Sequence, residues 1–261
     1  MYREIKYFLV SIKYNLKNAY VLGSSFWIGV FSMVLNNTSF YIIWYLFISA
    51  TGDINGWGSY DIFGMLGIST FCFGITNSFF YGVVKMPSIV TRGDFDAVLL
   101  SPRLILNRLS GMNFSITALG DLFMGFGVFV WYGITKLFSF EQWLMFLVVI
   151  FLGVITFLCV RILVSLISFY IHDGELISGQ IFKLFLRPGL YPGSMFPSKM
   201  KLFFMTVIPS LLTSTVPIDY IKTNSINIFL LSFCVTLFWL LITVIIFKIS
   251  IKRYESGNFL R

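Results

Sequence analysis

The residue types suited to catalysis are few and scattered. His172 is the only histidine in the 261-residue chain, so a histidine-pair metal site is excluded and a Ser–His dyad would have to use that one ring. It runs directly into Asp173, Gly174 and Glu175, which reads as a polar helix boundary rather than a catalytic base. No HExxH occurs for an intramembrane metalloprotease, and no GxxxxGK followed by Ser or Thr for a phosphate loop. The chain therefore carries no recognisable catalytic residue and no cofactor site. Cys72, Cys159 and Cys234 lie in apolar stretches without CxxC spacing and read as small hydrophobes. Asp121 stands inside a long apolar run beside Gly120, Gly125 and Gly127. A carboxylate there is costly and marks a pathway or structural site. Arg161, in a second such run, is read as snorkelling to the headgroups.

Composition shows what must position these residues. Hydrophobic side chains make up 57% of the chain, aromatics 19% and charged residues only 11%, against about 25% charged in a soluble domain. So few charges cannot cover a water-facing surface, and the apolar excess must face lipid. A self-contained nucleotide hydrolase, a DNA-binding module and a secreted disulfide scaffold are all excluded. The net charge of +8 is assigned to anionic headgroups and cytoplasmic loops, not to nucleic acid.

The fold class is all-α and polytopic. The first twenty residues form an amphipathic helix, with Ile5, Phe8, Leu9, Ile12 and Leu16 on one stripe and Arg3, Lys6, Lys13 and Lys17 on another. Such a helix lies in the headgroup plane. Apolar runs at 22–49, 61–83, 112–135, 142–165 and 226–248 are each long enough to span. The third and fourth are joined closely enough for a helical hairpin. Between Ile171 and Thr223 lie five of the seven prolines, and an unbroken span cannot pass through that spacing. A fifth span at 168–187 is expected, followed by broken, partly re-entrant segments. The whole reads as one membrane domain of six spans, with an interfacial helix at 1–20, a cytoplasmic loop at 84–110 and an outer or re-entrant segment at 188–222.

Lys and Arg set the orientation. Twelve of the 19 basic residues fall in the N-terminal tail, in the loop after the second span, and in the C-terminal tail (Lys248, Lys252, Arg253 and Arg261). Six spans with both termini cytoplasmic put all three groups inside. Arg187, Lys199, Lys201 and Lys222 then fall outside.

The loop VTRGDFDAVLLSPRLILNRLSG is expected to be ordered. Gly93 permits a sharp turn, and Asp94 caps a short helix from Phe95 to Leu100. Ser101 caps a second helix with Pro102 at its first position. Phe95, Val98, Leu99 and Leu100 are apolar in a cytoplasmic loop. Either they rest on the membrane or the bundle's own base, or they fill a groove on a soluble partner.

This stretch resembles the G-x-h-D-x-h-L-x-x-P segment (h hydrophobic) of ABC-2 type permeases, in the branch of six-span bacterial subunits. Here Gly93, Phe95, Asp96, Val98, Leu99 and Pro102 carry it. A second likeness is the proline pattern at Tyr191, Pro192, Phe196, Pro197, Ile208, Pro209, Val216 and Pro217, although the approach through Arg187–Pro188–Gly189 is shorter. The resemblance implies the permease half of an ATP-driven exporter in a bacterial cell membrane. A separate ABC ATPase would hold ATP and Mg, and a second permease, identical or a sister protein, would complete the pathway. It implies that Asp94 to Leu100 is the coupling helix, that Phe95, Leu99 and Leu100 dock in the ATPase, and that Tyr191, Pro192, Pro197, Pro209 and Pro217 belong to re-entrant helices at the outer face. Two other classes stay open. A sensor or immunity protein would bind without ATP-dependent flux, and a lipid-processing enzyme would turn over without any ATPase.

Overall fold

The computed structural model describes residues 2–171 and 173–254. His172 and Arg261, both weighed above, lie outside the described residues. Twelve α-helices follow one another among them: α1 (Tyr2–Tyr20), α2 (Ser24–Thr51), α3 (Ser59–Phe79), α4 (Tyr81–Thr91), α5 (Asp96–Leu99), α6 (Ile105–Met112), α7 (Thr117–Thr135), α8 (Phe140–Ser165), α9 (Gly174–Leu186), α10 (Ser198–Thr206), α11 (Thr215–Thr223) and α12 (Ile226–Lys252). No β-strand occurs among the described residues.

Five helical segments are long and apolar enough to cross a membrane: α2, α3, α7, the Phe140–Phe169 run and α12. They correspond to the five apolar runs of the sequence. The expected span at 168–187 takes a different form. A 3-10 turn at Leu166–Phe169 ends α8, and the chain restarts as the 13-residue α9. A further 3-10 turn at Arg187–Leu190 extends it. Together these last two make roughly 28 Å of rise, close to the hydrocarbon thickness of about 30 Å. Pro188, inside the Arg187–Leu190 turn, ends the α-helical part at Leu186.

The chain passes six times between two ends of the bundle. One end gathers α1, α5, α6, the Leu166–Phe169 turn and Tyr254. The other gathers the 52–58 turn, Lys136 and the segment from Arg187 to Thr223. Both described termini therefore lie at the same end.

Small residues fix the tightest seam. A Cβ at Gly74 of α3 would stand 2.4 Å from the Leu122 nitrogen, and one at Gly125 of α7 would stand 2.4 Å from the Phe71 nitrogen. The α3 and α7 backbones can approach this closely only without side chains there. The expected α7–α8 hairpin forms, its two helices meeting through aromatic side chains. A tight turn does join α7 to α8, and α8 starts on a capping box of Ser139 and Gln142. Yet α7 packs chiefly on α3, and α8 on α12. Between them sits an aromatic cluster of Phe129, Tyr132, Phe138, Trp143 and Phe146.

Arg161 does not snorkel. It is buried, donates to the Val84 carbonyl at 3.4 Å and lies 4.3 Å from the Phe182 ring centre. That places its guanidinium between α4 and α9, where a carbonyl and a ring face replace water.

The proline-rich segment is broken as expected. Two 3-10 turns (Arg187–Leu190 and Gly193–Met195), α10, a third turn (Leu211–Thr213) and α11 succeed one another. Every residue from Leu211 to Tyr220 is buried. Irregular backbone at membrane depth needs such cover. Several of its polar groups find local partners: Thr213 Oγ1 donates to the Ser210 carbonyl, and the Gly193 N–H donates to Thr215 Oγ1, while the buried Ser210 Oγ has none among the described residues.

Candidate functional site

The end that holds the α4–α6 loop is built from several elements. Gly93 takes the left-handed conformation, φ +79°, so the sharp turn after α4 falls on the residue best able to adopt it. The turn sends the chain into α5, a single helical turn. Its N-terminal flank is Phe95, with no side-chain cap, so Asp94 does not play the capping role expected of it. Phe95 is fully buried, its ring 5.1 Å from both Phe169 and Tyr254. Val98, one turn on, is also fully buried. The helix thus stands on the bundle by these two side chains, with Val83, Met86, Ile89, Leu109, Ile162 and Leu166 around them.

This divides the two readings of the loop's apolar residues. Phe95 and Val98 rest on the protein's own base, so Phe95 offers no surface to a partner, contrary to the docking role expected for it. Leu99 is 37% exposed and Leu100 85%. Arg92, Asp94 and Ala97 are exposed alongside them, and Asp96 and Gly93 are partly so. The spacing explains the gradient: on a helical turn, positions 98 and 99 flank the Phe95 face on either side, so Leu99 is only partly exposed, while position 100 points away from it.

The second helix of the loop also starts later than expected. Ser101 to Arg103 form a bend, Leu104 flanks α6, and Ile105 begins it. Pro102 is exposed in that bend and is not at the first helical position. No local side chain caps α6. Glu4 of α1 does so from a distance. It accepts from the Leu104 N–H at 3.3 Å, from Asn107 Nδ2 at 3.1 Å and from Arg103 Nη1 at 3.4 Å. A carboxylate at a helix N-terminus meets both the free N–H groups and the positive end of the dipole. These bonds, the Asn107 amide foremost, hold the Glu4 carboxyl below its usual range. Arg108 donates to the Tyr7 hydroxyl at 3.2 Å, and Asn15 to the Gly111 carbonyl at 3.2 Å. Sequence reading missed Glu4. Its only signal was an acid in the first turn of an otherwise basic helix.

At α1 the face formed by Glu4, Tyr7, Phe8, Ser11, Ile12, Asn15, Leu16 and Ala19 turns toward the protein. Ile5 and Leu9 stay exposed, and so do Arg3, Lys6, Lys13 and Lys17. The amphipathic helix thus has three sides: protein, apolar and cationic.

The opposite end holds a charge cluster that the sequence did not single out. Asp61, only 4% exposed, receives Lys222 Nζ on one carboxylate oxygen at 2.8 Å. On the other it receives Lys136 Nζ at 3.1 Å and the Tyr132 hydroxyl at 3.1 Å. Lys201 pairs with Asp219 at 2.7 Å. These residues come from elements distant in sequence, so no local motif announces them. Of the expected re-entrant residues, Pro192, Pro209 and Pro217 are buried, Tyr191 and Pro197 are exposed, and Tyr191 lies edge-on to Trp44 at 6.0 Å.

Asp121 is buried in the α2–α7 seam. Asn37 Nδ2 donates to its Oδ1 at 2.6 Å, and Oδ2 has no hydrogen-bond partner among the described residues. It joins neither cluster.

The all-helical bundle with several spanning helices agrees with the outcome of comparison. A family model described as "ABC-2 family transporter protein" matches residues 34–257. The chain belongs to the ABC-2 family transporter proteins. This ABC-2 transporter chain is a multi-pass membrane protein and a permease component of an ABC transporter, and its family implies an ABC ATPase partner in general. No match was found among curated proteins or among solved structures. The matched region takes in the α4–α6 loop, Asp121 and the whole proline-rich segment. It omits α1, whose Glu4 nevertheless caps α6.

Proposed function

We propose that this chain is the permease half of an ATP-driven exporter in a bacterial cell membrane, with six crossings, both termini in the cytoplasm and the α4–α6 loop as its contact with the ATPase. A permease with no phosphate loop must take its free energy from a partner. The single observation that carries the reading is the division of α5. Phe95 and Val98 root it in the bundle, while Leu100 projects almost fully into solvent beside Leu99. A helix fixed at its base with an apolar tip transmits force from a soluble protein and does little else. Buried groups at the root make the tip a rigid handle, and ATP-driven closure of the partner would move it together with α4 and α6. ATP and Mg belong to that partner. The second permease, identical or a sister protein, would complete the pathway, and the direction of transport follows the family likeness.

The cations Arg3, Lys6, Lys13 and Lys17 suit the anionic inner leaflet. Lys201 and Lys222, which fall on the outer side in this arrangement, are both held in ion pairs.

The test is a mild-detergent pull-down of the tagged chain from its native membrane. Wild type should bring down one ATPase, and mass spectrometry should count the permease species. Leu100→Asp and Leu99→Asp should insert normally and lose the ATPase. Unchanged recovery of the ATPase by both variants would remove the docking assignment.

A further inference from the structure

At the end opposite the coupling loop, the 52–58 turn touches both ends of the proline-rich segment. Asn55 Nδ2 donates to the Ser194 carbonyl at 2.9 Å, and Ser194 Oγ donates to the Ile54 carbonyl at 3.4 Å. Twenty-eight residues further along, Lys222 Nζ donates to the Gly56 carbonyl and to Asp61, and lies 5.0 Å from the Trp57 ring centre. A short turn thus bridges the start and finish of a segment that is otherwise a chain of brief helices. The turn is itself stiff: Ile54 and Trp57 exchange backbone hydrogen bonds at 3.0 and 2.9 Å, Asn55 and Gly56 take positive φ, and Trp57 is buried.

We propose that the 52–58 turn is a strap holding the proline-rich segment shut over this end of the bundle, and that the Lys222–Asp61 ion pair is its releasable fastening. The proposal deepens the permease reading by supplying the closure at the far end of the pathway.

The two lysines on Asp61 have different jobs. Lys136 follows the end of α7, which packs along α3, so its bond to Asp61 joins parts that already move together. Lys222 stands near the end of α11 and joins the segment to α3. Removing the sole partner of a buried charge is strongly unfavourable. Here Lys136 and the Tyr132 hydroxyl stay on Asp61 when Lys222 leaves, so the carboxylate is never left bare. The Lys222 side chain is 28% exposed, so its ammonium passes into water. A buried ion pair with a spare cation is therefore one that can open. Asn224, just past α11 in the left-handed conformation at φ 46°, marks the break at which α11 can swing relative to α12.

Hydrogen–deuterium exchange of the chain in lipid nanodiscs tests the fastening without any ATPase. Lys222→Gln, at a partly exposed side chain, should speed exchange of the amides at 53–58 and 215–223 roughly tenfold, the effect of losing a charged hydrogen bond. The α5–α6 region should not change. Lys136→Gln should slow exchange at those amides or leave it unaltered, because Lys222 then supplies the remaining ammonium on Asp61, beside the Tyr132 hydroxyl. Unaltered exchange in Lys222→Gln, or acceleration by Lys136→Gln equal to that of Lys222→Gln, overturns the strap.

A second arm uses the complex recovered with its own ATPase. Asn55→Cys with Ser194→Cys, in a Cys234→Ser background, is oxidised to a disulfide. ATP hydrolysis by the complex should fall on oxidation and recover on reduction, and an unchanged rate overturns the strap as a closure. Absence of any ATPase in the recovered complex sinks the permease reading instead, while the exchange result still decides the fastening.

Discussion

Tyr254 stands over Phe95 with their ring centres 5.1 Å apart, and its hydroxyl donates to the Gly93 carbonyl at 3.3 Å. The last described residue of the chain therefore covers the root of α5 and the turn before it. Burial first, and Asp96 after it, push the Tyr254 hydroxyl up to about 12. A raised phenol means that the fold favours the neutral form, so this contribution is complete below a pH of about 10 and is lost as pH rises from about 10 to about 12. The melting temperature of wild type should exceed that of Tyr254→Phe by a constant margin up to pH 10, and the margin should close above it. A margin that does not change through pH 12 would discard the clasp.

Phe95 and Leu100 should respond in opposite ways. Phe95→Ala removes a fully buried ring and should cost about 3–5 kcal/mol of stability, visible as a lowered melting temperature in detergent. Leu100→Asp should leave that temperature unchanged and lose only the partner. Equal destabilisation by both would contradict the division between root and tip.

Much of this architecture was legible in the residues. The five long spans follow from uninterrupted apolar runs, and the broken segment follows from proline spacing. The Gly93 turn is equally local. The role of Phe95 was not legible, because a side chain's surroundings depend on Phe169 and Tyr254, which are distant in sequence. Glu4 and Asp61 escaped for the same reason: each is one acid whose partners lie at 103–107, or at 132, 136 and 222. The α6 start at Ile105 was misread because a perfectly good local signal, Ser101–Pro102, lost to a carboxylate supplied from α1.

Glu4 gives a pH test in the opposite sense to Tyr254. Its carboxyl lies below its usual value of 4.5, chiefly through Asn107. The clamp on α6 is thus complete above pH 4.5 and is lost as pH falls through the lower, folded value. Amide exchange at 104–108, corrected for its intrinsic pH dependence, should accelerate on acidification in wild type. In Glu4→Gln it should be fast throughout. Parallel curves for the two proteins would dismiss the distant cap.

Backbone proximity sets a further contrast. A Cβ at Gly82 would fall 1.7 Å from the Leu109 carbonyl oxygen, so Gly82→Ala must push α4 off α6. The expected loss is about 1–3 kcal/mol, together with weaker recovery of the ATPase. Nothing lies within 4 Å of a Cβ at Gly127, and Gly127→Ala should match wild type in both measurements.

Asp121→Leu should cost about 1–3 kcal/mol, since it strands the Asn37 amide in the α2–α7 seam. Asp121→Asn keeps an oxygen for that donor and should cost less. If the leucine variant were as stable as wild type, Asp121 would have no structural part, and transport assays would become the place to look for its role.

One line of helix has a mechanical meaning of its own. Between Ser59 and Thr91, α3 and α4 are interrupted only at Phe80, where the backbone leaves the helical region at φ −120° and ψ 28°. Their 32 residues amount to roughly 48 Å of rod, with Asp61 near one tip and the Gly93 turn just beyond the other. Phe8 of α1 stacks on Phe80 at 5.4 Å. If α5 is the lever and the 52–58 turn the strap, as proposed, a pull on one would reach the other through a single knuckle at Phe80, on which α1 rests a ring.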